Sequence, residues 1–210
     1  MENTFVIDNP MITDRLTVLR MKKTGTRKFR EIVKEIATFL AYEVAREFPM
    51  REITIETPLC KSKQKKLDVG EISIVPILRA GVGMIEGFTT VYPDTRIINV
   101  GVQRDPVTHK PVEYYHKMPA SIKNSKCIII DPMLATGGSI AYTIELLKNE
   151  GCEDIVVVAI LAAPEGLQAI HKQYPKVPIY CAAVDDHLNE DKYIIPDLGD
   201  AGDRIFGTEE

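Results

Sequence analysis

Apolar residues recur along this chain in two rhythms. Phe29, Ile32, Val33, Ile36, Leu40 and Val44 fall at steps of three and four, which places them on one face of a helix. Pro49 marks the end of that element, because proline disfavours helical geometry in the residue before it. Short unbroken runs then take over: Ile53–Ile55, Ile72–Leu78, Ile97–Val102, Cys127–Ile130, Ile155–Leu161 and Ile179–Val184. They are rich in Ile and Val and mostly lack alternation with polar residues, as strands buried on both faces do. Helical patterns lie between several of them. Ser139–Glu150 is the clearest, with Gly151 placed to close it in a left-handed conformation. Strand, helix, strand at this spacing predicts right-handed crossover units and an α/β fold, a parallel twisted sheet flanked by helices. Two stretches break the rhythm. Residues 51–71 carry the basic run Lys61-Ser62-Lys63-Gln64-Lys65-Lys66, and residues 105–119 carry Pro106, Pro111 and Tyr114-Tyr115-His116. Both are predicted to be hairpins or arms projecting from the core.

Composition narrows the class without naming a chemistry. The 210 residues suit a single domain (1–210, its first 50 residues helical) and can bury a sizeable core. The longest apolar run, residues 155–163, is too short to cross a bilayer, and the first residues show no signal peptide, so a cytoplasmic protein with no membrane partner is expected. A net charge of −4 gives no reason to expect nucleic acid as the main partner. The four cysteines form no CxxC unit, and Cys127 and Cys181 sit in apolar runs where a thiol serves as a small core residue.

Three segments carry the candidate chemistry. In Asp131-Pro132-Met133-Leu134-Ala135-Thr136-Gly137-Gly138-Ser139 a buried strand ends in an acid, turns through Thr-Gly-Gly-Ser and opens a helix. Ligands of open parallel sheets bind outside the carboxyl ends of the strands. A helix start there offers N–H donors and the positive end of a dipole to a phosphate. Thr136 and Ser139 add hydroxyls, and Asp131 is placed to accept from two ribose hydroxyls. An ordinary turn with Thr136 or Ser139 as N-cap fits the same letters. The second segment, Leu78-Arg79-Ala80-Gly81-Val82-Gly83, ends another strand with a glycine-rich turn and a guanidinium fork suited to phosphate oxygens. Arg104 stands at the end of the Ile97–Val102 strand, where a surface ion pair is the alternative. The third segment, Tyr193 to Arg204, sets glycines among acids; it is either a plain surface turn or a stretch of exposed main-chain donors and acceptors.

Together these segments resemble the uracil phosphoribosyltransferase family. The resemblance runs from about Asn9 to Thr208, including Leu16-Thr17-Val18-Leu19-Arg20. Most other phosphoribosyltransferases carry two adjacent acids at the start of the first loop; Pro132 in the second place is similar to the uracil branch. The resemblance implies a phosphoribosyltransferase-like core with a projecting β-arm and a C-terminal base-binding segment (185–208). It implies transfer of a phosphoribosyl group from phosphoribosyl pyrophosphate to N1 of uracil. In it Arg79, Arg104 and Asp131 are catalytic, and the donor is bound by these three with Pro132, Met133, Leu134, Ala135, Thr136, Gly137, Gly138, Ser139 and Asp200. Uracil is bound by Ile194, Gly199, Asp200 and Ala201, largely through the main chain. Mg2+ is implied as cofactor, held through pyrophosphate and water rather than directly by protein side chains. A non-proline cis peptide near Arg79, a homodimer or homotetramer, and GTP or another nucleotide as effector are further implications. The family's third segment usually reads Ile-Pro-Gly-Leu-Gly-Asp-Ala-Gly-Asp. Here Asp197 stands where glycine is usual, so a left-handed backbone at that position would cost more.

Overall fold

A computed structural model describes residues 3–104 and 111–208, without the side chains of residues 103, 104 and 111. The described residues form thirteen strands and six α-helices. The strands are β1 (Thr4–Val6), β2 (Met50–Glu56), β3 (Lys61–Leu67), β4 (Glu71–Leu78), β5 (Arg96–Ile97), β6 (Val100–Arg104), β7 (Pro111–His116), β8 (Ser125–Ile130), β9 (Met133–Leu134), β10 (Ile155–Ala162), β11 (Ile179–Val184), β12 (His187–Leu188) and β13 (Ile194–Ile195). The helices are α1 (Pro10–Arg20), α2 (Thr26–Val44), α3 (Ile85–Val91), α4 (Gly138–Asn149), α5 (Pro164–Gln173) and α6 (Ala201–Phe206). The main sheet runs β1-β11-β10-β8-β4-β6-β7, with β5 beside β4 and β9 beside β10. Every pair in it is parallel except β6 with β7. The carboxyl ends of β4, β6, β8, β10 and β11 therefore share one edge, and the connections that leave there surround a common space.

Period-two alternation within buried strands sorts the core into two layers. Ile74, Ile128, Ile130, Val156, Val158 and Ile160 pack with the apolar stripe of α2 and with α1, α3 and α6. Val75, Ile77, Cys127, Ile129, Val157 and Ala159 face the other way, onto α4 and α5. Neither layer contains a solvated strand face, which is why the runs lack polar alternation. Pro76 lies in the middle of β4, where proline is usually excluded. Its neighbour is broken at that level: β5 pairs with Ser73 and Ile74 and β6 with Ile77 and Leu78, so the missing N–H falls in a gap of the ladder. Asn9 caps α1, its side chain accepting from the Met11 N–H at 2.9 Å with Pro10 in the first turn. Gly151 (φ +83°) closes α4 as predicted; its N–H reaches the Lys148 carbonyl, and the Cys152 N–H that of Leu147.

Three expectations are corrected. Ile53–Ile55 is not a buried strand: it belongs to β2, which pairs only with β3 in an exposed antiparallel hairpin, and Ile55 is open to solvent. The Ile97–Val102 run is two short strands rather than one. Residues 111–116 join the main sheet as its edge strand β7; the rest of that segment up to Lys110 lies outside the described residues. No helix among the described residues is long and apolar enough to cross a membrane.

Candidate active site

The first loop starts where β8 leaves the sheet. The Asp131 carboxylate accepts the Met133 N–H at 3.2 Å, which curls the chain back at once. The Pro132 carbonyl takes the N–H groups of Ile160 and Leu161 at 3.0 and 2.9 Å, and Met133–Leu134 then run beside β10 as β9. Tied down on both sides, the chain crosses to α4 through Ala135, Thr136 and Gly137, the last with φ +81°. Gly137 is the N-cap residue of α4, and no side chain makes a capping hydrogen bond there. Thr136 Oγ1 lies 3.5 Å from the Gly138 nitrogen, at the limit of any such bond. The first turn of a helix carries four N–H groups without intrahelical partners, and the Thr136 hydroxyl engages only that of Gly138 at this length, so the turn can still offer donors to an anion.

The second loop rests on the first. The Leu78–Arg79 peptide is cis, as the resemblance implied, and a 3-10 turn follows over Ala80–Met84. A Cβ on Gly81 would stand 2.5 Å from the Ile130 carbonyl oxygen and 3.1 Å from Pro76 Cα, so only glycine lets this turn lie against the foot of β8. Arg79 donates from Nη2 to Asp203 at 3.1 Å, and its guanidinium lies 5.8 Å from the Phe206 ring centroid. The Thr208 hydroxyl and Arg79 together hold the Asp203 carboxyl below its ordinary range.

The third segment is more structured than its composition suggests. β12 and β13 form a short hairpin, Ile195–Pro196 is cis, and Asp200 caps α6 by accepting the Asp203 N–H at 2.9 Å. Asp197 is left-handed at φ +63°, the conformation expected to be costly for a residue other than glycine. Its Oδ1 is buried without a hydrogen-bond partner among the described residues. Burial pushes its carboxyl above the usual range and Asp185 adds to this; the Leu198 and Gly199 N–H groups and Arg20 pull the other way.

One cavity of about 340 Å³ joins the three. Asp131, Met133, Ala135 and Ser139 line it from the first loop, Ala80 from the second, and Ile194, Asp197, Gly199, Asp200 and Ala201 from the third. Pro132, Leu134, Thr136, Gly137 and Gly138 belong to the first loop but do not line the cavity. Arg79 flanks it beside Gly202, whose Cβ position is 3.8 Å from Nη2. Arg104 ends β6 at the same sheet edge; its side chain lies outside what is described. Among the described residues no group of three or more His, Cys, Asp or Glu is gathered as for a metal. Two of the four carboxylates that line the cavity, Asp131 and Asp200, are hard oxygen donors of the kind magnesium takes singly alongside water and phosphate.

Gly166, in the first turn of α5, stands close beneath the first loop: a Cβ there would be 2.3 Å from the Ala135 carbonyl oxygen, so α5 supports that loop from below. Asp191 and Lys192, which also line the cavity, precede the third segment, while Tyr193 and Asp203, the latter the partner of Arg79, lie within it but carry no role of their own in the sequence reading.

The family model described as uracil phosphoribosyltransferase matches residues 6–208. Curated proteins named uracil phosphoribosyltransferase include one from Lactiplantibacillus plantarum, 50% identical over 203 residues and covering 97% of each chain. Another, from Thermoanaerobacter sp., is 48% identical over 207 residues and covers 99% of each. A solved protein of Aquifex aeolicus superposes with a TM-score of 0.92 at 32% identity, covering 98% of this chain and 99% of its own. An adenine phosphoribosyl transferase from Trypanosoma brucei shares the fold at a TM-score of 0.62 and 17% identity, covering 95% of this chain and 89% of its own.

Proposed function

The chain belongs to the uracil phosphoribosyltransferase family, and from that premise we propose how its three apposed loops divide the family's reaction between them. The protein is a pentosyl transferase of pyrimidine salvage: it moves the phosphoribosyl group of phosphoribosyl pyrophosphate to N1 of uracil, giving UMP and pyrophosphate. The observation that carries the assignment of roles is the single cavity walled by all three loops.

As the C1–oxygen bond to pyrophosphate breaks, C1 takes on oxocarbenium character, and N1 of uracil closes on it, its proton leaving to solvent or to the released pyrophosphate. Such a reaction needs charge placement and orientation rather than a protein nucleophile. Residues 136–139 hold the 5′-phosphate on main-chain N–H groups and hydroxyls, with Pro132 to Ala135 shaping the approach. Asp131 holds the ribose diol. Arg79 and Arg104 stabilise the departing pyrophosphate, Arg79 being aimed by its bond to Asp203. Ile194, Gly199 and Ala201 read the donor–acceptor edge of uracil through the main chain, and a base with a different pattern leaves these groups unpaired. Asp200 faces the donor. Magnesium, when bound, neutralises charge on the pyrophosphate; Asp131 and Asp200 would support it through water. The protein works in the cytoplasm as one domain and as a homodimer or homotetramer, with β2–β3 as a projecting arm, 185–208 as the base segment, and GTP or another nucleotide as effector.

The test is turnover with magnesium, donor and a panel of bases. UMP and pyrophosphate should form in equal amounts from uracil, with nothing from adenine or hypoxanthine and a loss of product on chelation. Purine nucleotide formation at a comparable rate would overturn the base assignment.

A further inference from the structure

The end of α1 carries part of the family resemblance but takes no part in the chemistry above. Arg20, its last residue, donates from Nη1 and Nη2 to the Asp185 carboxylate at 2.7 and 2.5 Å. The same Nη1 reaches the carbonyl of Asp197 at 3.0 Å, and Asp185 Oδ2 accepts the Asp197 N–H at 3.0 Å. Both main-chain polar groups of Asp197 thus end on one bidentate ion pair, whose carboxylate is almost wholly buried at 5% side-chain exposure. The next carbonyl, that of Leu198, accepts from Arg204. Neither Arg20 nor Asp185 lines the cavity. A left-handed Asp197 is a conformation its backbone would not choose alone, and Gly199 and Ala201 follow directly from it.

We propose that Arg20 is a positioning residue for the base: acting through Asp185 and the main chain of Asp197, it fixes where Gly199 and Ala201 present their hydrogen-bonding groups, and so sets the affinity for uracil without touching it. The proposal rests on the base-site assignment given above. A guanidinium fork is needed for this. It serves two carboxylate oxygens and a carbonyl at once, whereas an ammonium keeps the charge opposite Asp185 but cannot hold the same three acceptors in one plane.

Arg20→Lys separates the two roles, because it keeps the buried carboxylate paired. The KM for uracil should rise about ten-fold, the effect expected of charge-assisted hydrogen bonds lost from a positioned site. The KM for the donor, the donor affinity by calorimetry and kcat should stay within about two-fold, as the phosphate loops are anchored elsewhere. An unchanged uracil KM overturns the proposal, as does an equal rise in both KM values, which is the mark of general loosening. Should Arg20→Lys not fold, the double variant Arg20→Met/Asp185→Leu removes both charges together and leaves neither buried alone. It should show the same selective rise, and a normal uracil KM in it overturns the idea equally. Absence of UMP formation by the unaltered protein would instead strike at the assigned reaction.

Discussion

Gly166→Ala is expected to lower turnover about a hundred-fold while leaving a folded protein, the penalty typical of a misplacement near 1 Å in a catalytic constellation. The added methyl carbon would lie 2.3 Å from the Ala135 carbonyl oxygen, 3.0 Å from that of Leu134 and 3.1 Å from the Ala135 carbonyl carbon. Ordinary contact begins at 3.4 Å, and all three neighbours are backbone, so no side chain can swing aside. Residues 134–135 sit between Asp131 and the start of α4, and they are held at the end of β10 by the Ala163 N–H on the Leu134 carbonyl at 2.9 Å. The strain must therefore open the gap between α5 and the phosphate loop, turning the amides of residues 136–139 off the phosphate. Overpacking of this kind costs about 1–3 kcal/mol of stability, which a domain of this size survives. Steady-state kinetics with donor as varied substrate, beside a circular dichroism spectrum, is the check. Turnover within three-fold of the unaltered enzyme, taken as roughly the limit of a backbone that relaxes without misplacing the loop, would deny the glycine this role.

Arg204→Met should cost about 3–5 kcal/mol of stability, the range for removing the charged member of a buried, hydrogen-bonded set. Arg204 is 7% exposed and donates to the carbonyls of Leu19, Met21, Thr24 and Leu198, while its guanidinium stacks 4.4 Å from the Phe29 ring centroid. Leu19 lies in the last turn of α1, and Met21 and Thr24 belong to the connection from α1 to α2, so one guanidinium ties the helix end and this connection to α6. Methionine keeps the apolar stem but supplies no donor, and the cation–π contact goes as well. The melting temperature should fall by about 10 °C, given roughly 2–4 °C per kcal/mol at this chain length. A fall of less than about 2 °C would show that water replaces the guanidinium at little cost.

These two residues also mark what a sequence can and cannot disclose. The strand–loop–helix unit from Cys127 to Gly151 was legible because each step leaves a local trace: an unbroken apolar run, an acid, small polar residues, an amphipathic helix and a closing glycine. Arg79 was legible for the same reason, lying within a glycine-rich turn after a buried strand. Gly166 was not, because its importance lies in a close approach to Ala135, thirty-one positions away along the chain, and a glycine in a helix's first turn looks ordinary. Arg20 and Asp185 are 165 positions apart, and a charged residue at a helix end is read as a solvated cap until its partner is known. Main-chain acceptors such as those around Arg204 leave no letter in the sequence at all. The C-terminal segment shows no periodicity in the sequence because β12, β13 and α6 are each too short to carry one. Ile53–Ile55 erred in the opposite direction: two isoleucines suggested burial, but the flanking Glu52, Glu56 and the lysines of β3 belong to an exposed hairpin, and they pair with each other across it.

In the proposed reading, three loops form one site, with the phosphate on one side of the cavity and the base on the other. A crystal structure of the protein with UMP tests it most directly. The 5′-phosphate should lie on the amides of residues 136–139, the ribose hydroxyls against Asp131, and the uracil ring on the main chain of Ile194, Gly199 and Ala201. A phosphate seated instead on the Arg79 turn, or a base bound away from the third segment, would contradict the account.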